Sequence, residues 1–232
     1  MTSRSSTTSE SAHVQAVDAI LFELVGALAE FPAAPFQAAA ARVFARSPAA
    51  ETQGSVGGSR AYWDLLDQLA SCDRPLLPEE RAIIDVCENE AVEAAFVYDD
   101  AAPALNELAG LGVRLIVASS LSENALSRFL DRTGWRALFH DRWSRDAAGG
   151  IGDAVLRRAV TSGSLAADRV LFLADTEAGL RAATLAGVRP ILMMNDPDEA
   201  MRLTAYNPAG GIVSLHELPD LVRLVAARHA RR

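Results

Sequence analysis

Acidic and hydroxyl side chains follow four short apolar runs of the sequence, and these side chains are the best candidates for chemistry. Glu23 follows the first run, Ser119 the second and Asp175 the third, and Asn195-Asp196 follows the fourth. A carboxylate can attack an electrophile, carry a proton or bind a hard cation such as Mg²⁺. If the runs are neighbouring strands, the sequence predicts one site at which these groups meet.

The apolar runs alternate with stretches of helical composition. The runs cover 17–22, 113–118, 170–174 and 190–194, and the helical stretches cover 101–111, 122–133, 153–162 and 177–186. Short strands that are apolar throughout are typical of a parallel sheet covered on both faces, and such sheets bind ligands at the carboxyl ends of their strands. The predicted fold class is therefore α/β, a doubly wound, Rossmann-like parallel sheet with the candidate residues at one edge.

An early segment interrupts this alternation. Residues 32–96 contain helical stretches at 34–46, 60–71 and 78–95 and no convincing strand. The last stretch opens with Pro78, Glu79 and Glu80, which is typical of a first helical turn. The sequence therefore predicts three parts: a disordered polar tail at 1–15, an α/β core at 16–31 and 97–232, and a helical insert at 32–96.

Three segments resemble motifs of the haloacid dehalogenase superfamily of HAD-like hydrolases, in that family's order and spacing. Residues 22–28 (FELVGAL) resemble its first motif, usually Phe-Asp-x-Asp-Gly-Thr-Leu; residues 115–120 (LIVASS) resemble its second, and residues 171–183 (LFLADTEAGLRAA) its fourth. The resemblance spans nearly all of the chain beyond the tail. It implies a Rossmann-like core with a small helical cap inserted after the first strand, and it places Glu23, Ser119 and Asp175 at catalytic motif positions.

The first motif departs from the family at two positions that matter for chemistry. Glu23 stands where the family has its nucleophilic aspartate; the extra methylene displaces the carboxylate by about a bond length, and a misplacement of ~1 Å can cost on the order of 100-fold in rate. Val25 stands at the position of the general acid and base, whose proton transfer is typically worth roughly 100- to 10,000-fold. Ala27 and Gly179 replace a threonine and the last aspartate of the motifs.

The third motif of the family carries a lysine, and this chain has none, because all 22 of its basic residues are arginine. Arg145, Arg157 or Arg158 can supply positive charge there, although an arginine fork is no geometric copy of an ammonium group. These losses predict a pseudoenzyme that has lost phosphatase activity and acts by binding a partner protein or a small-molecule ligand. The alternative is an active Mg²⁺-dependent hydrolase of phosphate esters that uses Glu23 and Asp175 in a modified mechanism. A further alternative is a structural assembly subunit.

The motif residues that this chain retains are compatible with a magnesium site. Its ligands would be Glu23, Asp175 and the backbone carbonyl of Val25, a set of oxygen atoms that Mg²⁺ completes with water. The competing interpretation is that the two carboxylates are simply solvated or hydrogen-bonded at strand ends. The sequence predicts no other cofactor.

Composition narrows the classes of partner. The net charge of −8 argues against nucleic acid, because a protein that neutralises phosphates needs clustered basic residues. No apolar run approaches the roughly 18 residues that span a bilayer, and residues 1–15 lack the apolar segment of a signal peptide. We therefore expect no membrane contact and a cytoplasmic location.

Overall fold

A six-stranded parallel sheet forms the centre of the molecule in the computed structural model, which describes residues 17–44, 57–72, 74–194 and 201–229. The strands of this sheet are β1 (Ala19–Phe22), β4 (Arg114–Ala118), β5 (Asp141–Trp143), β6 (Val170–Ala174), β7 (Arg189–Met193) and β8 (Gly210–Ile212). Their order is β5-β4-β1-β6-β7-β8, and every neighbouring pair is parallel. The predicted fold class is confirmed.

Helices flank this sheet and fill the connections between its strands. Their bounds are α1 (Ala33–Phe44), α2 (Gly58–Ala70), α3 (Pro78–Glu93), α4 (Ala101–Gly110), α5 (Glu123–Thr133), α6 (Arg145–Ala148), α7 (Asp153–Ser162), α8 (Glu177–Ala186) and α9 (Leu218–His229). None of the helices described is both long and apolar enough to cross a bilayer.

The register of the central strands brings the predicted site positions to one edge. Phe22, the last residue of β1, pairs with Val117 of β4 and with Leu173 of β6. Parallel strands in this register end together, so the residues that follow them are neighbours. All three strands are almost wholly buried, which explains why their sequences are apolar on both faces.

The strands that the sequence reading missed are short and lie at edges. Strand β5 at one edge reads Asp-Arg-Trp and is largely exposed, and β8 at the other edge begins with two glycines. Neither has the apolar run that marks a buried strand, because an edge strand has only one neighbour and need not be covered on both faces.

Three helices, α1 to α3, lie between two short strands, β2 (Ala29–Glu30) and β3 (Phe96–Val97), which form an antiparallel pair of their own. This pair differs from the expectation that the insert carries no strand up to residue 96. Helix α1 packs against α2 and α3, and α3 packs against α5. The division at residues 16–31, 32–96 and 97–232 stays a prediction, and the predicted tail at 1–15 lies outside the described residues.

Helices α5 and α8 begin a few residues after Ser119 and Asp175, and a hydroxyl side chain caps the start of each helix. The Ser122 side chain accepts a hydrogen bond from the Ala125 N–H at the start of α5, and the Thr176 side chain accepts one from the Gly179 N–H at the start of α8. Such caps satisfy backbone donors that have no partner within the helix. The chain therefore turns from strand to helix within a few residues of Ser119 and of Asp175.

Candidate active site

The Glu23 carboxylate lies at the centre of a ring of hydrogen-bond donors. Its Oε1 accepts hydrogen bonds from the Leu24 N–H at 2.9 Å and from the Ser119 hydroxyl. Its Oε2 accepts from the Tyr62 hydroxyl at 3.3 Å and, more weakly, from the Ser120 N–H at 3.4 Å. Only 3 % of Glu23 is exposed, so these donors replace the water that an ionised carboxylate needs.

The surroundings of Glu23 change its affinity for a proton. Burial raises the pKa of its carboxyl group from 4.5 to about 7, and hydrogen bonds from Ser119, Leu24, Ser120 and Val25 limit that rise because they favour the anion. Near neutral pH the group therefore exists in both forms. A carboxyl group balanced in this way can act as a nucleophile when ionised and as a proton carrier in either direction.

Ser119 is held from both sides by the sheet and by its own loop. It is fully buried directly after β4, and its N–H donates to the Trp143 carbonyl of β5 at 3.0 Å. Its hydroxyl donates to Glu23 and accepts from the Leu121 N–H at 3.3 Å. The structure thus brings two of the three predicted side chains, Glu23 and Ser119, into direct contact.

Asp175 is half-buried after β6, against the turn that follows β1. Its Oδ1 accepts a hydrogen bond from the Ser59 hydroxyl at 2.8 Å. Gly26 lies in the left-handed region at φ +79°, and a Cβ atom there would collide with the Asp175 carboxylate and the Ser59 hydroxyl. The close approach of this turn to Asp175 therefore requires glycine at position 26.

One helix touches both predicted carboxylates. Ser59, which contacts Asp175, and Tyr62, which contacts Glu23, are three residues apart in α2 and so share one face of that helix. Trp63 is the next residue of α2, and its ring lies close to Gly179: a Cβ atom added to Gly179 would be 3.4 Å from that ring. The sequence analysis missed this contribution: its helical stretch begins at residue 60, after Ser59, and no local pattern indicates which face of a helix covers a distant site.

Among the arginines considered for the missing lysine, Arg145 lies nearest this site. Its guanidinium donates to the Ser120 carbonyl at 3.2 Å and pairs with Glu88 of α3. Burial is the largest single effect on Arg145 and lowers its pKa, but the combined attraction of Glu88, Asp146 and Tyr62 outweighs burial, so the pKa is raised. Arg157 instead pairs with Asp153, and the Arg158 guanidinium lies 5.4 Å from the ring centre of Trp143.

The predicted magnesium ligands match Mg²⁺ in chemistry, since all are oxygen atoms. The described residues contain no group of three or more His, Cys, Asp or Glu side chains that could hold a metal ion. Asp175 lies at the partly open side of the site, whereas Glu23 directs both oxygens at N–H and O–H donors, whose hydrogens repel a cation. Of the two predicted carboxylates, Asp175 is therefore the better placed to hold Mg²⁺, and Glu23 could join it only if its carboxylate turned away from these donors.

Comparison with known proteins agrees with the motifs. The model of the haloacid dehalogenase-like hydrolases matches residues 7–187. The chain is similar to two curated proteins named Enolase-phosphatase E1. That of Acidiphilium cryptum is 34 % identical over 135 residues, which are 56 % of this chain and 54 % of that protein. That of Frankia alni is 34 % identical over 116 residues, which are 48 % of this chain and 49 % of that protein. The chain thus spans about half the length of the curated relatives it matches.

Solved structures show the same fold. A haloacid dehalogenase-like family hydrolase from Streptococcus pneumoniae superposes with a TM-score of 0.65 at 16 % identity, over 88 % of this chain and 97 % of that one. A HAD phosphatase from Thermococcus onnurineus superposes with a TM-score of 0.60 at 15 % identity, over 89 % and 98 %. Identities this low support the fold and nothing finer.

The prediction of a pseudoenzyme that has lost phosphatase activity and acts by binding is wrong. The matching family model is one of hydrolases, and the curated relatives are named as phosphatases. The prediction counted departures from the residue types of the motifs, at positions 23, 25, 27 and 179, together with the absence of lysine. It left out the surroundings of Glu23, which hold a buried carboxyl group with a pKa of about 7 among hydrogen-bond donors.

Proposed function

Since this chain belongs to the haloacid dehalogenase-like hydrolase family, we propose that it hydrolyses phosphate esters and that Glu23 is its nucleophile. The observation that carries the proposal is the contact between the Glu23 carboxylate and the Ser119 hydroxyl, at the edge where β1 and β4 end. The enzymatic alternative drawn from the motifs, with Glu23 and Asp175 in a modified mechanism, is the one we adopt. The small-molecule partner is then the substrate, and the absence of nucleic-acid and membrane partners stays a prediction.

The reaction proceeds in two displacements. In the first, a carboxylate oxygen of Glu23 attacks phosphorus, the bond from phosphorus to the ester oxygen breaks, and the departing oxygen takes a proton from water. In the second, water attacks the phosphorus of the glutamyl phosphate, the bond from phosphorus to the Glu23 oxygen breaks, and the attacking water loses a proton to solvent. Inorganic phosphate leaves, and the Glu23 carboxylate is restored. The N–H groups of Leu24 and Ser120 and the Ser119 hydroxyl stabilise that returning negative charge.

Val25 determines which esters react. The side chain at this position is an apolar isopropyl group, fully buried, and has no proton to give the leaving oxygen. Substrates must therefore carry a leaving group that departs without protonation by the enzyme. We propose esters of acidic alcohols, enols or phenols as the substrate class.

The ionisation of Glu23 sets the pH dependence. Only the carboxylate form attacks phosphorus, and burial raises the pKa of this group to about 7. The value of kcat/KM should therefore rise with pH up to about 7 and level off above it.

Helix α2 controls access in this proposal. Ser59 and Tyr62 hydrogen-bond to Asp175 and Glu23, so the phosphate group can reach Glu23 only after this helix moves aside. When bound, Mg²⁺ would offset the charge of the phosphate. Asp175 and the Val25 carbonyl would hold it, with Glu23 as a ligand once its carboxylate leaves the donor ring.

The test is a panel of phosphate esters with leaving groups of increasing basicity, assayed with Mg²⁺. We expect turnover that falls steeply from p-nitrophenyl phosphate to alkyl phosphates, and Glu23→Gln should lower it at least about 1,000-fold because the nucleophile is gone. Glu79→Gln, at an exposed glutamate of α3, is the control and should match wild type. Peptide mass spectrometry of a quenched reaction should find one phosphoryl group on Glu23. No turnover across the panel, or turnover that survives Glu23→Gln, would contradict the proposal.

A further inference from the structure

Glu88 is a fully buried carboxylate in α3. Its Oε1 accepts a hydrogen bond from the Arg145 guanidinium, and its Oε2 accepts one from the Ser122 N–H at 3.0 Å. Arg145 also donates to Asp85 of α3 at 3.2 Å. A buried ion pair repays the loss of water only when its remaining donors and acceptors find partners. Here both Glu88 oxygens accept a hydrogen bond, and both terminal nitrogens of the Arg145 guanidinium donate one.

Glu88 and Arg145 both hydrogen-bond to the loop from Ser119 to Ser122, which follows β4. Besides the bond from Ser122 to Glu88, the Arg145 guanidinium donates to the Ser120 carbonyl at 3.2 Å, and the Arg145 N–H donates to the Leu121 carbonyl at 3.1 Å. The same loop presents the Ser119 hydroxyl and the Ser120 N–H to Glu23 from its other side. One peptide segment thus connects Glu88 and Arg145 with Glu23.

We infer that Glu88 and Arg145 are positioning residues that make the geometry of loop 119–122 depend on the docking of α3. When α3 is docked, the loop is held with its donors facing Glu23; when α3 lifts, Glu88 leaves Ser122 and Arg145, and the loop loses that hold. The part of this inference that concerns the reaction rests on the proposed function. The part that concerns the loop stands on the contacts alone.

A second arginine–carboxylate pair offers a matched control. Glu93 of α3 pairs with Arg128 of α5, so it also joins α3 to the helix that follows the loop. Both of its side chains are 52 % exposed, and the Arg128 Nε–H donates to the Glu93 carboxylate rather than to loop 119–122. Exposed pairs of this kind contribute little to stability. Removing its charge tests whether any ion pair on α3 has the effect inferred for Glu88.

The experiment compares Glu88→Gln with Glu93→Gln in the full chain. In the first variant the amide oxygen can still accept the Ser122 N–H, but the side chain has no charge for Arg145. We expect amide exchange of residues 119–122 at least about tenfold faster than in wild type, while residues 19–22 of β1 stay protected. With p-nitrophenyl phosphate, kcat should fall on the order of tenfold with KM little changed. Glu93→Gln should match wild type in both readouts.

A double variant, Glu88→Gln with Arg145→Met, separates positioning from stability. Glu88→Gln alone leaves the Arg145 charge buried without its partner and should lower the free energy of unfolding; the double variant removes both charges, so that free energy should return towards the wild-type value. The amides of loop 119–122 should still exchange fast, and kcat should stay low. Recovery of both loop protection and kcat in the double variant would overturn the inference, as would a Glu88→Gln protein that behaves like Glu93→Gln. If wild type cleaves no phosphate ester, the proposed function fails, and the exchange comparison still decides the inference about the loop.

Discussion

Glu23 is one methylene longer than the aspartate usual in the motif, and the structure shows what its carboxylate contacts. The carboxylate lies within hydrogen-bond distance of the Ser119 hydroxyl and of the Tyr62 hydroxyl, which comes from another helix. The carboxyl group is buried and has a raised pKa, so its ionised form destabilises the folded state. Residues kept in such states are characteristic of functional sites.

The cost of that charge predicts how stability depends on pH. The folded state raises the pKa of Glu23 from 4.5 to about 7, which corresponds to about 3 kcal/mol in favour of the protonated form. Relative to Glu23→Gln, the free energy of unfolding of wild type should fall by about that amount as pH rises from about 4.5 to 7, and stay constant outside this window. Urea unfolding of both proteins at pH 4.5 and pH 8 measures it, with Glu79→Gln as the exposed control. An equal difference between the two proteins at both pH values would contradict the prediction.

At the scale of elements, the turn after β1 decides how closely the first motif approaches the fourth. The Gly26 N–H donates to the Ala29 carbonyl at 2.8 Å, so this turn folds back into the short strand β2. The turn also lies against Asp175 and Ser59, which leaves no room for a side chain at position 26. Glycine is needed there both for its backbone conformation and for its lack of volume.

A comparison of Gly26 with Gly112 separates the effect of backbone conformation from the effect of side-chain volume. Gly26 and Gly112 have nearly the same backbone angle, φ +79° and +76°, but a Cβ on Gly112 meets nothing within 4 Å. Gly112→Ala should therefore cost only the left-handed conformation, about 1–2 kcal/mol. Gly26→Ala should cost more, because its methyl group also displaces Asp175 or α2. Urea unfolding of both variants gives the comparison, and equal losses would show that the collision at Gly26 relaxes freely.

At the scale of the whole molecule, the site exists because distant parts of the chain meet. The turn after β1, the loop after β4 and the end of β6 lie together at the sheet edge, and helices α2 and α3 cover them. Glu23 and Ser119 are 96 residues apart, and Ser59 and Asp175 are 116 apart. The ring around Glu23 therefore forms only in the folded chain.

Binding of Mg²⁺ would report on that assembly without any substrate. A ligand that binds only the native state stabilises it by about 2.7 kcal/mol at 100 times its dissociation constant. We expect the Tm of wild type to rise with Mg²⁺, and Asp175→Asn to remove most of the rise because the main carboxylate of the site is lost. Asp131→Asn, at an exposed aspartate of α5, should respond like wild type. A rise that Asp175→Asn leaves intact would place the cation elsewhere.

The central architecture and the placement of three candidate site residues at one sheet edge were predictable from the sequence. Buried parallel strands must be apolar along their whole length, so β1, β4, β6 and β7 are visible as runs, and the residues just after the first three, Glu23, Ser119 and Asp175, fall at the sheet edge by topology alone. The edge strands β5 and β8 were not predictable because one-sided pairing imposes no such pattern.

Only the tertiary structure determined what those three residues can do. The pKa of Glu23 depends on burial and on donors up to 97 residues away, and Tyr62 and Ser59 reach the carboxylates from a helix whose orientation no local periodicity encodes. The inference that activity is lost went wrong for the same reason: it judged each motif position by its residue type. Reactivity depends on solvation, hydrogen bonding and charge around a group, and in this chain those come from segments brought together by folding.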